Sequence, residues 1–241
     1  MASQRQKTSS ISPTGIRPIS ATNVVVPSLA LTFDLPGIAY LEPRFANVRY
    51  VTNAPETENT RLLEKDSGWQ GGLIGVVYEI TPEDYAKILA TEGGGAAYQD
   101  VIVETFPIPA NSADAEPILA HTLLAPVLHV RGEAQPSKRY LDLIRMGADE
   151  HRLPQEYRTW LAGLQEYRRT SWRQSVGAVV WAALWLPLTL TLIVLTKVLA
   201  GGDGRAPHWI LVLQRGLMTL MWASYDGGFK KMFGDGERTE I

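Results

Sequence analysis

From Val176 to Thr196 the chain reads VGAVVWAALWLPLTLTLIVLT, without a single charged residue. At a helical rise of about 1.5 Å per residue this run is roughly 30 Å long, the thickness of a bilayer's hydrocarbon core. A core helix with no polar face is a poor fit to a chain of 241 residues, so a transmembrane helix is expected over residues 174–199. Pro187 costs a kink that a membrane helix tolerates. Trp172, Trp181 and Trp185 lie toward one end and Lys197 closes the other. Arg168, Arg169 and Arg173 precede the run, and the positive-inside tendency puts everything before them on the cytosolic side. After the short loop Gly201–Gly204 comes a second apolar segment, residues 207–226, interrupted by Gln214, Arg215 and Gly216. It either returns as the second half of a hairpin or lies at the interface as an amphipathic helix. Residues 227–241 read as a polar tail, in which Lys230 and Lys231 favour a cytosolic return.

Ahead of these segments, residues 1–14 (opening MASQRQKTSSISP) are polar and read as a disordered tail without a secretory signal. Residues 15–168 remain for one folded domain. With 45% hydrophobic and 20% charged residues the chain can bury one sizeable core. A net charge of −2 gives no electrostatic case for nucleic acid. Zero cysteines exclude disulfides, thiol catalysis and cysteine-based zinc sites. His121, His129, His151 and His208 show no metal-ligand spacing.

The chemistry is concentrated between Gly68 and Glu104. Leu73–Ile80 is apolar and β-branched, as a buried strand should be. Thr81 is placed to cap a helix, with Pro82 at its first position and Asp84 three residues after the cap. That helix is expected from Pro82 to about Thr91, ended by Gly93, Gly94 and Gly95. Tyr98–Glu104 resumes as a strand, Val101 and Val103 alternating with Ile102 and Glu104. Glu92 therefore sits at a helix C-terminus, whose partial negative charge raises a carboxylate's pKa. Beside it the glycines allow a ligand to approach the backbone closely. This combination suits a general acid/base near neutral pH. The same residues also describe an ordinary C-cap with a solvated Glu.

Several separated motifs carry a family resemblance: Gly75-Val-Val-Tyr78, Ala90-Thr-Glu-Gly-Gly-Gly95 with Tyr98, Pro136-Ser137 with Tyr140, Met146-Gly-Ala148, and Leu153-Pro-x-Glu-Tyr157. Leu31–Gly37, Tyr40–Pro43 and Phe45–Asn47 add to it. Over roughly Gly15 to Tyr167 the chain resembles the γ-glutamylcyclotransferases of the AIG2-like superfamily, above all their fungal members. The resemblance implies an α+β fold, a small mixed β-barrel with packed helices. It implies an enzyme that cyclises a γ-glutamyl group to 5-oxoproline and releases the free amine. Glu92 then matches the family's acid/base, Gly93 and Gly94 border the substrate, and Tyr98 matches a pocket tyrosine or merely caps the barrel end. The implied partner is a small γ-glutamyl amine, dipeptide or glutathione-derived conjugate, as in fungal secondary metabolism. No organic cofactor or metal is implied.

The chain also departs from the family. The family's Tyr-Gly-Ser-Asn substrate loop has no counterpart in residues 1–13, which contain neither Tyr nor Gly. Either the loop lies upstream of Met1, or this is a variant without it, and a catalytically inactive, membrane-tethered binding protein is the alternative reading. A second family tyrosine near His121–Leu124 is replaced by apolar residues. Elsewhere, Val24–Pro27 and Leu29–Leu35 read as short strands with a turn at Pro36-Gly37. Asn53–Ser67 and Thr105–Pro117 read as loops, Trp69–Gly72 as a turn, and Ile118–Val130 as a strand pair or one long strand. Gln135–Tyr167 reads as two helices, one begun by Pro136-Ser137 with Tyr140, Leu143 and Ile144 at helical spacing. The other is begun by Pro154, with Tyr157, Trp160, Leu161 and Leu164 on one side.

Overall fold

The computed structural model describes residues 17–51, 69, 71–91, 98–108, 116–125, 130–132, 134–199 and 207–240. The strands are β1 (Ser20–Val26), β2 (Leu29–Ile38), β3 (Glu42–Tyr50), β4 (Leu73–Glu79), β5 (Gln99–Pro107) and β6 (Ile118–Leu124). The helices are α1 (Pro82–Thr91), α2 (Lys138–Glu150), α3 (Gln155–Gly163), α4 (Trp172–Leu199), α5 (His208–Ser224) and α6 (Lys230–Phe233), with a π-helical turn, Tyr225–Phe229, between the last two. The expected loop over Asn53–Ser67, the tail over residues 1–14 and the linker Gly201–Gly204 lie outside the described residues.

β1 is the hub of a four-stranded sheet ordered β4-β1-β5-β6. It pairs Val24 with Gly75 of β4 and Val25 with Phe106 of β5, and β5 pairs Val103 with Ala120 of β6. All these ladders are antiparallel, as is the separate β2–β3 ribbon. The resemblance implied a mixed barrel, but β1 occupies the central slot and runs opposite to both neighbours. β2 lies against β4 and β3 against β6, so the ribbon bridges the two edges of the sheet and the strands curl into a partly closed barrel. Its interior follows the period-2 alternation: Val24, Val26, Leu29 and Val103 are buried together while Ile102 is exposed.

Pro36-Gly37 does not turn the chain; both lie inside β2, opposite Arg44 and the β3 entry. A register shift between Thr32 and Leu35 bends the strand there. Gly37 is required because a Cβ would fall 2.1 Å from the Glu42 carbonyl and 2.7 Å from the Phe45 ring. The reversal comes at Ala39–Leu41, with Tyr40 at φ 64°. At Trp69–Gly72 the expected turn is present: the Trp69 indole donates to the Gly72 carbonyl at 2.6 Å, and Gly72 has φ +80°.

The helices α2 and α3 form as expected. The Ser137 hydroxyl accepts from the Tyr140 N–H at 3.1 Å, and Pro154 precedes α3. Ile74, Ala148, Leu153, Tyr157 and Leu161 make the layer between sheet and helices. Leu143 is not part of it; it is exposed, and Leu141 is buried instead, because the packed stripe of α2 runs one step round from the expected one.

The C-terminal third differs most from expectation. α4 spans 28 residues and includes Pro187. It is the one described helix long and apolar enough to cross a membrane, and only 17% of its most apolar window is buried. Yet Trp181 and Trp185 are not interfacial: they are buried with Tyr40, Met221, Trp222 and Tyr225 in a cluster joining α4, α5 and the β2–β3 turn. Nor do the described residues of the expected polar tail 227–241, which end at 240, hang free. The chain continues helically to Phe233, turns at Gly234 (φ +89°), and folds back on the barrel. There Tyr40 N–H donates to the Gly236 carbonyl at 2.9 Å and Gln135 N–H to that of Glu237 at 3.1 Å. Gly236 packs flat on Tyr40, where a Cβ would lie 2.8 Å from the ring. Polar residues fold here because they satisfy buried backbone groups of the barrel.

Candidate functional site

Helix α1 begins as the residues dictate, with Asp84 N–H donating to the Thr81 hydroxyl at 3.2 Å and Glu83 and Asp84 in the first turn. It ends at Thr91. Glu92, Gly93 and Gly94 lie outside the described residues, and the chain resumes at Tyr98, one residue before β5. The strand–helix–strand order around the expected acid/base is therefore present, with residues 92–97 joining α1 to β5.

A small polar cluster fixes α1 on the sheet. The Tyr85 ring packs on the His121 ring of β6, centroids 5.0 Å apart, and His121 Nδ1 lies 2.9 Å from the Asp100 carboxylate of β5. Burial first, then Asp100, pushes the Tyr85 hydroxyl up to about 12. The Tyr85 hydroxyl, followed by His121, holds the Asp100 carboxyl below its usual range. His151 is engaged elsewhere, 2.7 Å from the Tyr78 hydroxyl. Among the described residues no cluster of potential metal ligands occurs.

Tyr98 lines a cleft of about 800 Å³ between the barrel and the C-terminal hairpin. The barrel contributes Leu35, Pro36 and Arg131, whereas α4 and α5 contribute a wall that includes Ile193, Leu211 and Met218. At the base of this wall Trp222 lies beneath two cations, with the Arg131 guanidinium 4.3 Å and that of Arg44 5.1 Å from its ring centroid. Arg131 is a fork: Nη1 donates to Asp226 Oδ2 at 2.9 Å and Nη2 to Oδ1 at 2.8 Å, and Nη2 also approaches Glu237 at 3.4 Å. Its guanidinium is accordingly held above its ordinary pKa, chiefly by Asp226. Arg44 is 2% exposed and paired with the equally buried Glu237 of the returning segment. Burial pulls Arg44 down, and Glu237 opposes that pull.

The structure thus brings Tyr98 to a cleft and adds Arg131, Trp222, Asp226 and Glu237, which sequence reasoning did not single out. Arg44 had one visible signal, a charge at an inward position of the strand Glu42–Tyr50. Arg131 and Asp226, 95 residues apart, had none.

Comparison with known proteins follows the same division. Residues 72–161 match the AIG2-like family, and residues 171–231 match the AclK C-terminal domain. The γ-glutamyl cyclotransferase gliK of Aspergillus fumigatus is 32% identical over 233 residues, 94% of this chain and 84% of that one. The γ-glutamyl cyclotransferase aclK of Aspergillus oryzae is 30% identical over 230 residues, 92% of this chain and 82% of that one. A solved structure titled γ-glutamyl cyclotransferase superposes with a TM-score of 0.46 at 17% identity, over 67% of this chain and 86% of that one.

Proposed function

The chain belongs to the γ-glutamyl cyclotransferase-like family, and on that premise we propose that it cyclises a γ-glutamyl amine to 5-oxoproline and the free amine. The substrate's own α-nitrogen attacks its γ-carbonyl carbon; the lactam C–N bond forms and the γ-amide C–N bond breaks. Two protons leave the α-ammonium and both end on the departing nitrogen, so one carboxylate can act first as base and then as acid. Glu92 takes that role, with Gly93 and Gly94 letting the glutamyl group approach the backbone and Tyr98 walling the pocket. Holding nucleophile and carbonyl together in one bound molecule supplies much of the rate.

The observation that carries this reading is the position of Tyr98 on a large cleft, immediately after the segment that contains Glu92. The substrate class is a γ-glutamyl dipeptide or glutathione-derived conjugate, as the resemblance to fungal relatives implies. The decisive measurement is 5-oxoproline release. Glu92→Gln is expected to abolish it with the melting temperature unchanged, and retained turnover would refute the assignment of the base.

The exposed apolar faces of α4 and α5 support attachment to a membrane, with the barrel on the cytosolic side by virtue of Arg168, Arg169 and Arg173. A second reading, a tethered binding protein without turnover, is favoured by one observation: His121–Leu124 carries no tyrosine where the family resemblance implies one. Binding of a γ-glutamyl amine without 5-oxoproline release would select it.

A further inference from the structure

We propose that α4 lies along a membrane surface rather than across the bilayer, its outward row of apolar side chains set into a leaflet of anionic phospholipid. The inference rests on the membrane reading above and gives that attachment an orientation and a lipid class.

The row itself is the first argument. Val176, Val180, Leu184, Pro187, Leu190 and Val194 follow one another at steps of three or four, so they share one face of the helix, and all are exposed. From Val176 to Val194 that face is about 27 Å long. The opposite face carries Ala178, Trp181 and Trp185, buried in one cluster with Tyr40 and Trp222. Val176, Val180 and Leu184 therefore stand bare at the height where the barrel is docked, on the side turned away from it. A hairpin inserted end-on with the barrel docked would leave these three in water. A crossing helix would cover them only by pulling Trp181 and Trp185 out of the core. A helix lying in the interface covers the whole row and keeps the core closed. Thr191, exposed along the row, donates its hydroxyl to the Pro187 carbonyl at 2.7 Å and so brings no unpaired donor to the lipid.

Polar residues are the second argument. Gln214 and Arg215 line the cleft, on the barrel side of the hairpin. Gln214 donates to the Thr196 hydroxyl at 2.7 Å, which places it about 16 Å beyond Trp185 along the helix axis. End-on insertion would carry Arg215 to that depth, where a guanidinium is costly. With α4 in the interface the cleft stays on the barrel side, out of the hydrocarbon.

Charge selects the lipid. Arg168, Arg169 and Arg173 are exposed where α4 begins. Arg168 is paired with Glu166, whereas Arg169 and Arg173 carry no ion pair among the described residues. Arg173 stands three positions before Val176, in the same row. Its guanidinium is 5.9 Å from the ring centroid of Trp172, which is 73% exposed. An exposed indole suits the headgroup layer, and the neighbouring cations suit anionic headgroups.

The test exploits the absence of cysteine. Val180→Cys and Val194→Cys each replace an exposed side chain of the full chain and carry an environment-sensitive fluorophore. Depth in phosphatidylcholine–phosphatidylserine vesicles is read by quenching from spin-labelled lipids. The two positions are about 21 Å apart along the axis, and equal, shallow depths are expected. A label at residue 180 in water with one at 194 deep in the hydrocarbon overturns the proposal and leaves membrane attachment intact. Lipid contact at neither label overturns both. Shielding of both labels without lipid, with a doubled mass by light scattering, gives the face to a second copy and likewise overturns the proposal. Arg169→Gln/Arg173→Gln should weaken binding to these vesicles about thirtyfold and leave binding to pure phosphatidylcholine unchanged. Equal affinity of this variant and the wild type for the anionic vesicles overturns the choice of lipid.

Discussion

Glu237 shows at the residue scale how strongly the fold depends on its last residues. It is 4% exposed and paired with Arg44, whose guanidinium also donates to the carbonyls of Pro43 and Gly132 and lies over the Trp222 ring. Removing one partner of a buried pair leaves an uncompensated charge, at a cost of about 3–5 kcal/mol. Glu237→Gln should therefore lower the urea midpoint by a corresponding amount, and Arg44→Met combined with Glu237→Leu should restore most of it. A second prediction concerns acid. Asp100 is held below its ordinary pKa by Tyr85 and His121, so its contribution to stability is complete above the unfolded value of about 3.9 and is lost as pH falls through the folded one. Denaturation midpoints measured from pH 6 to pH 2 should fall less steeply for Asp100→Asn than for the wild type.

Among the elements, α1 was legible because its signals are local: a Thr-Pro start, acids in the first turn and glycines at the end. Thr81→Ala should cost about 1 kcal/mol of stability through the lost cap. It should also reduce turnover more than that loss explains, because α1 leads directly into Glu92. A cap replacement by Ser should recover both readouts. Strand β2 was read too short for a reason that is not local. Pro36-Gly37 is a turn signal in isolation, and only the close approach of Glu42 and Phe45 shows why a glycine is needed inside a strand. The hairpin helix α4 is similarly two-sided. Its apolar run was evident, but a run with no polar face does not reveal which side packs. Trp181, fully buried against Tyr40, Tyr225 and Phe229, should cost about 3–5 kcal/mol on replacement by Ala.

At the scale of the whole molecule, the C-terminal segments are built into the barrel rather than hung from it. Trp185 is the last residue of α4 buried in the shared core. From there to Leu199 the helix extends only about 21 Å at its normal rise, short of a hydrocarbon core of about 30 Å. If α4 and α5 enter a bilayer with the barrel docked, an apolar length of that size reaches one leaflet rather than two. The full chain should float with phosphatidylcholine vesicles, and Leu190→Gln/Val194→Gln, which alters two exposed residues, should weaken that association. Extraction of the wild type by carbonate would reject deep insertion. A protease accessibility assay on sealed vesicles separates the two arrangements further: the loop between α4 and α5 is protected from outside in either, but becomes cleavable from the lumen only if the helices cross.

The amino-acid sequence by itself determined the order of strand, helix, glycine segment and strand around Glu92, the helix α2 capped by Ser137, the helix α3 after Pro154, and the apolar run of α4. Each of these is set by residues within a few positions of one another, through period, cap or composition. Only the tertiary structure decided that β1 sits between β4 and β5, that Trp181 and Trp185 face Tyr40, and that Glu237 returns to Arg44. These contacts join residues far apart in the chain, and each residue would look the same in sequence with its partner replaced. The cleft is the clearest case. One wall is strand and the other is helix from the far end of the chain, so no local pattern could have announced the space between them.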